Sequence, residues 1–341
     1  MLPPLRFVPV AKARSWGADR LRSLGKPALA NQRLGETWEL ADLPDDIADG
    51  QSRVACGPLA GLKMRELRAS RRDELLGLAT PAPDGAFPLL VKYLDAAENL
   101  SLQVHPDARY AALHPSAHLK TEAWIVVQCT PGARVYRGID PRVTREEFAA
   151  ALAAGRALEH ITSFEVAPGD CVYLPSGVCH ALGGGILAAE VQTPSDTTFR
   201  VWDWDRNDPA RPLHLAEAWE CMKFGREQDD GVAAFVRADD APRWDVGGVT
   251  TRRLCRSAFF TVESMECARD ASFELEPTGV PEVWMTTAGH ATWRTASDTV
   301  HAEAGATVLR AARIEPGTVH ASAGTHILRF ICASPLDRAL A

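Results

Sequence analysis

The sequence predicts a mainly β fold, in which two β-barrels of one plan carry a few short helices. Short apolar runs are the first reason: Phe87 to Leu94, Trp124 to Val127, Cys171 to Leu174, Ile186 to Val191 and Thr198 to Trp202 are each bounded by Gly, Pro, Asp or Asn. Such runs mean many strands in a sandwich or barrel. The second reason is an internal repeat. Thr121-Glu122-Ala123-Trp124-Ile125 resembles Pro281-Glu282-Val283-Trp284-Met285, and Gly169-Asp170-Cys171-Val172-Tyr173-Leu174 resembles Gly305-Ala306-Thr307-Val308-Leu309-Arg310, in the same order. Two homologous barrels in tandem follow. The third is length and composition: 341 residues, 46% hydrophobic and 24% charged, describe an ordinary globular chain of about two domains at ~150 residues each.

Helix is the minor component. Ser70 to Gly77 reads as one helix and Thr144 to Ala154 as another, where Thr144 and Glu147 make a T-x-x-E capping box ahead of Phe148 and an Ala-rich run. The two repeat segments lie about 24 residues further apart in the first copy than in the second, about the length of a helical insert at 143–160. Gly225 to Gly231 is polar and turn-prone, so the domain boundary is expected just after it, giving units 1–231 and 232–341.

Charge and cysteine usage exclude several functions. Thirty-seven basic against forty-four acidic residues give a net charge of -7, which argues against a general affinity for nucleic acid or anionic membrane. No stretch approaches the ~20 apolar residues that span a bilayer, and the first residues lack a signal-peptide pattern, so a cytoplasmic protein is expected. The eight cysteines include no C-x-x-C pair and are read as buried thiols.

The sharpest local signal is Leu100-Ser101-Leu102-Gln103-Val104-His105. As a strand it turns Ser101, Gln103 and His105 to one face and Leu100, Leu102 and Val104 to the other. Alone, this is an amphipathic strand with its polar side in water. Downstream, Lys120-Thr121-Glu122 opens a second strand, and Leu174-Pro175-Ser176-Gly177-Val178-Cys179-His180 is a strand, a Pro/Gly turn and a histidine at the start of the next strand. In isolation His180 is a turn histidine bonded to backbone. Brought together by a barrel, two imidazoles, one carboxylate and one amide oxygen make a set suited to a divalent metal such as zinc, Gln103 being the least usual zinc ligand. Glu190 and Gln192 share a strand face, Pro194-Ser195-Asp196 turns the chain, and Arg200 offers a planar fork for phosphate or carboxylate, or for a surface ion pair.

With Q-x-H, K-x-E, P-x-G-x-x-H and E-x-Q-x-x-S-D-x-x-x-R in this order, the chain resembles the type I mannose-6-phosphate isomerases of the shorter bacterial form, zinc-dependent proteins of two cupin (jelly-roll) barrels. Trp16-Gly17, Gly35-Glu36-Thr37-Trp38-Glu39 and Pro88 to Ala96 add to the match, which is dense from about 16 to 206 and loose beyond. The resemblance implies one Zn2+ per chain on Gln103, His105, Glu122 and His180, with Trp16, Lys92, Ser101, Lys120, Glu190, Asp196 and Arg200 as the other pocket residues. Leu182 departs from relatives that carry a Tyr there. It further implies a catalytic first unit and a structural second one, since the second copy has Glu282 and His320 but no Q-x-H strand.

The implied reaction interconverts mannose 6-phosphate and fructose 6-phosphate through an enediol or enediolate. Glu190 is favoured as the carbon base, with Lys120 the competing candidate. Asp196 orients the base, binds a hydroxyl, or is a turn-forming Asx residue; Arg200, with Lys92, would grip the 6-phosphate, and Trp16 would wall the pocket. A small sugar phosphate is the expected partner, and a monomer or weak homodimer the expected state. Two other readings stand beside this one: another metal-dependent cupin enzyme, such as a dioxygenase or a different sugar isomerase, and a non-catalytic sugar-phosphate binding protein.

Overall fold

The computed structural model describes residues 1–206 and 208–340. Strands dominate it, and they assemble into two units of the same topology. The first unit uses Leu90–Ala96, Leu102–Val104, Glu122–Cys129, Arg134–Ile139, Ile161–Glu165, Cys171–Leu174, His180–Leu182 and Ile186–Gln192. Taken in chain order, strands one, eight, three and six lie side by side in one sheet, and two, seven, four and five in the other. That is the double-sheet jelly roll.

The second unit repeats the order with Phe260–Cys267, Ala271–Leu275, Glu282–Ala288, His290–Thr295, Thr299–Glu303, Thr307–Arg310, Gly317–Ala321 and His326–Cys332. The repeat seen in the sequence keeps even its register. Glu122 faces Leu174 and Trp124 faces Val172 across one strand pair, while Glu282 faces Arg310 and Trp284 faces Val308 across the equivalent pair. The larger part of the first unit's extra length lies between its fourth and fifth strands. There Arg145–Ala153 forms the expected helix, Thr144 accepting from the Glu147 amide while the Glu147 carboxylate takes the Thr144 amide, followed by a 3-10 turn at Ala157–His160.

Four features differ from the sequence reading. The sheets remain open sandwiches and do not close into barrels, and extra edge strands extend them: Val10–Ala18, Leu34–Leu40, Phe199–Trp202 and Phe235–Val236 in the first unit, Leu5–Arg6, Arg243–Val246 and Val249–Arg256 in the second. The edge strands also cross the division at 231, since Leu5–Arg6 pairs with Thr307–Arg310 and Phe235–Val236 with Cys171–Leu174. The first helix is longer than expected, Met64–Leu76, because Glu66 reaches back to the amide of Lys63, a residue type that gives no capping signal. Finally, Cys56 is exposed and Cys129 half-buried, whereas the other six cysteines are buried free thiols.

The two sandwiches stand back to back through their larger sheets. Val91, Tyr93, Ile125, Leu187 and Val191 from the first and Val262, Val283, Met285, Leu328 and Phe330 from the second belong to one buried cluster. Each of these residues alternates along its strand with one that faces its own sandwich interior. A buried ion pair reinforces the junction: Lys26 Nζ lies 2.6 Å from Glu39 Oε2 and 2.5 Å from the Gly305 carbonyl, and Thr307 Oγ1 donates to the same carboxylate at 3.2 Å. The smaller sheet of the first unit is backed by Tyr110, Phe148 and Ala218 from three helices, which press on Leu102, Val104 and Val201. With both faces supported, the inner face of the first sandwich is a rigid place for polar groups.

Candidate active site

Glu122 opens the third strand of the first sandwich, His180 opens the seventh, and Gln103 and His105 lie on and just after the second. His180 and Arg200 flank Gln103 as its neighbours on either side in the smaller sheet. Facing sheets thus bring together what the sequence separates. His180 Nε2 is 3.2 Å from Glu122 Oε1, and His105 Nε2 is 3.5 Å from Glu122 Oε2, all three residues being buried. The polar face predicted for Ser101, Gln103 and His105 forms as expected, but Leu100 precedes the strand proper and packs on the inner side with Trp16 and Trp124.

Hydrogen bonding fixes what these groups present to one another. His180 Nδ1 donates to the Val178 carbonyl at 2.8 Å, and His105 Nδ1 to the Thr197 carbonyl at 3.1 Å. Each imidazole therefore turns an Nε2 lone pair toward the Glu122 carboxylate. Burial, joined by the nearby Lys120 ammonium, pushes the His105 imidazolium down to about 3, so at neutral pH no proton sits between the ring and the carboxylate. Burial opposes the charge on Glu122, yet Lys120 and His105 hold its carboxyl well below the usual range. His105 Nε2 and both Glu122 oxygens also lack a hydrogen bond of good geometry. Three buried electron-pair donors converging in this way call for a cation, and this is the one His/Cys/Asp/Glu group among the described residues whose atoms could hold one. Gln103 now turns its Nε2 to the lone pair of His180, 3.4 Å away. Rotating its amide would bring the oxygen there instead.

Beside this group lies a cavity of about 470 Å³, lined by Trp16, Lys92, Ser101, Gln103, Lys120, Glu190, Asp196 and Arg200 among others. Every substrate-pocket residue expected from the sequence is on its wall. Lys120 Nζ is 2.8 Å from Glu122 Oε2. Burial works against its charge, but Glu122 and Glu190 outweigh that and hold the ammonium above its ordinary value. Glu190, buried, accepts Trp124 Nε1 at 2.8 Å and faces Lys92 Nζ at 3.1 Å, because the central strand puts Glu190 opposite both Lys92 and Trp124. Lys92 thus sits against Glu190, the favoured base. Asp196 is exposed at the cavity's edge, on the turn whose Thr197 carbonyl fixes His105.

Sequence reasoning assigned no role to Arg14, Glu36, Trp38 or Arg211, which also line the cavity. Glu36 and Trp38 lie in the motif Gly35 to Glu39, and their alternation with Thr37 and Glu39, which are tied to each other on the opposite face, was the available signal. In the second sandwich the place of the carboxylate is filled. Arg310 Nη1 lies 3.2 Å from Glu282 Oε2, which also takes Trp284 Nε1, while His320 is on the exposed outer side. The row Lys92, Glu190, Trp124 becomes Glu263, Arg329, Trp284, with the signs of the charges exchanged.

Fold and site define a double jelly-roll protein whose inner face carries a buried His–Glu–His group of the kind that holds a divalent metal. The family described as phosphomannose isomerase type I, catalytic domain, matches residues 5–123. The chain is 35% identical over 275 residues to the mannose-6-phosphate isomerase ManA of Bacillus subtilis (strain 168), which covers 80% of this chain and 82% of that one. It is 36% identical over 266 residues to the mannose-6-phosphate isomerase of Streptococcus mutans serotype c, covering 77% and 78%. The crystal structure of the mannose 6-phosphate isomerase from Bacillus subtilis superposes with a TM-score of 0.82 at 28% identity, over 96% of this chain and 99% of that one. The chain belongs to the type I mannose-6-phosphate isomerase family.

Proposed function

We propose that the protein interconverts mannose 6-phosphate and fructose 6-phosphate as a zinc-dependent aldose-ketose isomerase working through an enediolate. The observation that carries this reading is the convergence of His105, His180 and Glu122 donors beside a cavity whose wall, formed in part by their neighbours Gln103 and Lys120, also holds the buried Glu190 carboxylate. His105, His180 and Glu122 hold one Zn2+, with Gln103 as fourth ligand through its amide oxygen. When bound, zinc supplies Lewis-acid stabilisation of negative charge developing on the substrate oxygens.

The chain's own groups do the rest. Glu190 takes the proton from C2 and returns it at C1, and the bond from Trp124 and the charge of Lys92 keep its carboxylate oriented. Lys120 moves a proton between the substrate oxygens, as suits a group held protonated. It remains the competing carbon base, since a divalent cation on Glu122 would withdraw the negative charge that keeps it protonated. Arg200 binds the 6-phosphate away from the reacting carbons, converting that contact into orientation at C1 and C2. Ser101 and Asp196 contact the sugar, and Trp16 walls the pocket. Catalysis belongs to the first unit, 1–231. The second, 232–341, is structural, because Arg310 already satisfies Glu282.

Running the reaction in deuterium oxide tests the enediolate. Deuterium from solvent is expected at C1 of fructose 6-phosphate and C2 of recovered mannose 6-phosphate. Turnover with no deuterium in either sugar would contradict a carbon proton that exchanges with solvent while it is held on Glu190.

A further inference from the structure

The same cavity is lined by three arginines from three separate segments: Arg14 on Val10–Ala18, Arg200 on Phe199–Trp202, and Arg211 in the loop beyond. Two of them are held by carboxylates that are themselves almost fully buried. Arg14 Nε lies 2.7 Å from Glu36 Oε1, and Arg211 grips Asp203 with two bonds, Nε to Oδ2 at 2.8 Å and Nη2 to Oδ1 at 2.9 Å. Arg200 is different. Its Nη1 donates to the Pro212 carbonyl at 2.7 Å, but its Nε is buried with no partner among the described residues.

Gathering like charges around an incompletely satisfied guanidinium is costly unless an anion is to be bound there. Burial first, then Arg211, with Arg14 and Arg206 behind it, oppose the charge of Arg200, and Asp203 is the carboxylate that relieves it. Arg206 Nη2 lies 3.5 Å from Asp203 and its chain is turned away to the Asn99 carbonyl, while Asp208 caps its own loop at the Ala210 amide.

We infer that Arg14 and Arg211 complete an anion seat around Arg200 for the phosphate of the sugar phosphate, and that Glu36 and Asp203 are positioning residues that aim those two guanidiniums. The inference rests on the function proposed above and names the residues of that site's phosphate end. A guanidinium bound edge-on to a carboxylate keeps its remaining N–H groups in a fixed direction, which lowers the ordering cost of binding phosphate.

The test turns on a sign. If Asp203 acted only through its charge, Asp203→Asn would strengthen binding of an anion nearby; if it positions Arg211, the same change weakens binding. Inorganic phosphate is the probe, its affinity for the zinc-loaded full chain measured by calorimetry, with the KM and kcat for mannose 6-phosphate measured in parallel. Arg211→Ala and Arg14→Ala are expected to weaken phosphate binding roughly ten- to a hundredfold, the range for losing a hydrogen bond to a charged group, with KM rising more than kcat falls. Asp203→Asn should weaken it several-fold, roughly in line with a lost positioning bond, and Arg211→Lys should recover part of the loss, since an ammonium has the charge without the fork. Tighter phosphate binding by Asp203→Asn, or unchanged affinity in both alanine variants, overturns the seat. If Asp203→Asn does not fold, the alanine pair decides alone. Phosphate bound as predicted but no isomerisation by the wild type would defeat the proposed reaction and leave the seat standing; turnover with phosphate affinity indifferent to the variants would do the reverse.

Discussion

Glu122→Gln probes the centre of the site, because the one carboxylate serves two positive partners. It is fully buried, 2.8 Å from Lys120 Nζ and within 3.5 Å of both imidazole Nε2 atoms. Removing its charge leaves the Lys120 ammonium buried and unpaired, and breaking a buried pair from one side costs about 3–5 kcal/mol. The same change takes the only anion from the metal group, which should lower zinc affinity by at least about a hundredfold, or about 3 kcal/mol at 1.36 kcal/mol per decade. Metal content after dialysis, urea unfolding of the metal-free protein and turnover are the three readouts. The metal-free variant should unfold at clearly lower urea, and Lys120→Met in the same chain should restore much of the loss while zinc and activity stay absent. A Glu122→Gln protein with stoichiometric zinc and wild-type turnover would refute the ligand assignment. Unchanged metal-free stability would refute the account of the Lys120 pair.

His105→Ala should lose zinc and activity together, checked by elemental analysis on the purified variant. Glu190→Gln should abolish exchange of the C2 proton with deuterium oxide while zinc remains bound; exchange that survives would transfer the base role to Lys120. Arg200→Ala should weaken mannose 6-phosphate far more than unphosphorylated mannose, so that the ratio of kcat/KM for the two substrates falls by roughly tenfold or more. Acid stability should show the hand of Glu36. Burial opposes its charge, but Arg14 and Lys92 hold its carboxyl down at about 2 from an ordinary 4.5. A depressed carboxyl contributes stability present above pH 4.5 and lost as pH falls toward 2, about 3 kcal/mol in all. Glu36→Gln should accordingly flatten the acid limb of an unfolding curve, and a limb identical to wild type would assign that stability elsewhere.

Much of the metal group was legible because it is written in local periodicity. Gln103 lies on a strand and His105 just past its end, two residues on, and His180 follows a Pro/Gly turn, so each points inward by the alternation of extended chain alone. The repeat was legible because both copies kept the same pairing of Glu and Trp with the strand that follows Gly169 or Gly305. What the sequence conceals is cross-strand register between distant segments. Lys92 meets Glu190, and Arg14 meets Glu36, only through pairing that no local pattern encodes. Leu5–Arg6 joins a strand some three hundred residues away, which is why two self-contained barrels were expected where open, interlocked sandwiches form. Arg310 was equally hidden: as the counterpart of Leu174 it looks like a surface residue, and only the fold brings it against Glu282.

The central claim is that this cavity isomerises a sugar phosphate with a metal held by His105, Glu122 and His180. Conversion of mannose 6-phosphate to fructose 6-phosphate by the purified protein, measured after chelation and again after zinc is returned, tests it most directly. Turnover lost on chelation and regained with one zinc per chain is the predicted result. A folded, zinc-loaded protein that produces no fructose 6-phosphate would contradict it.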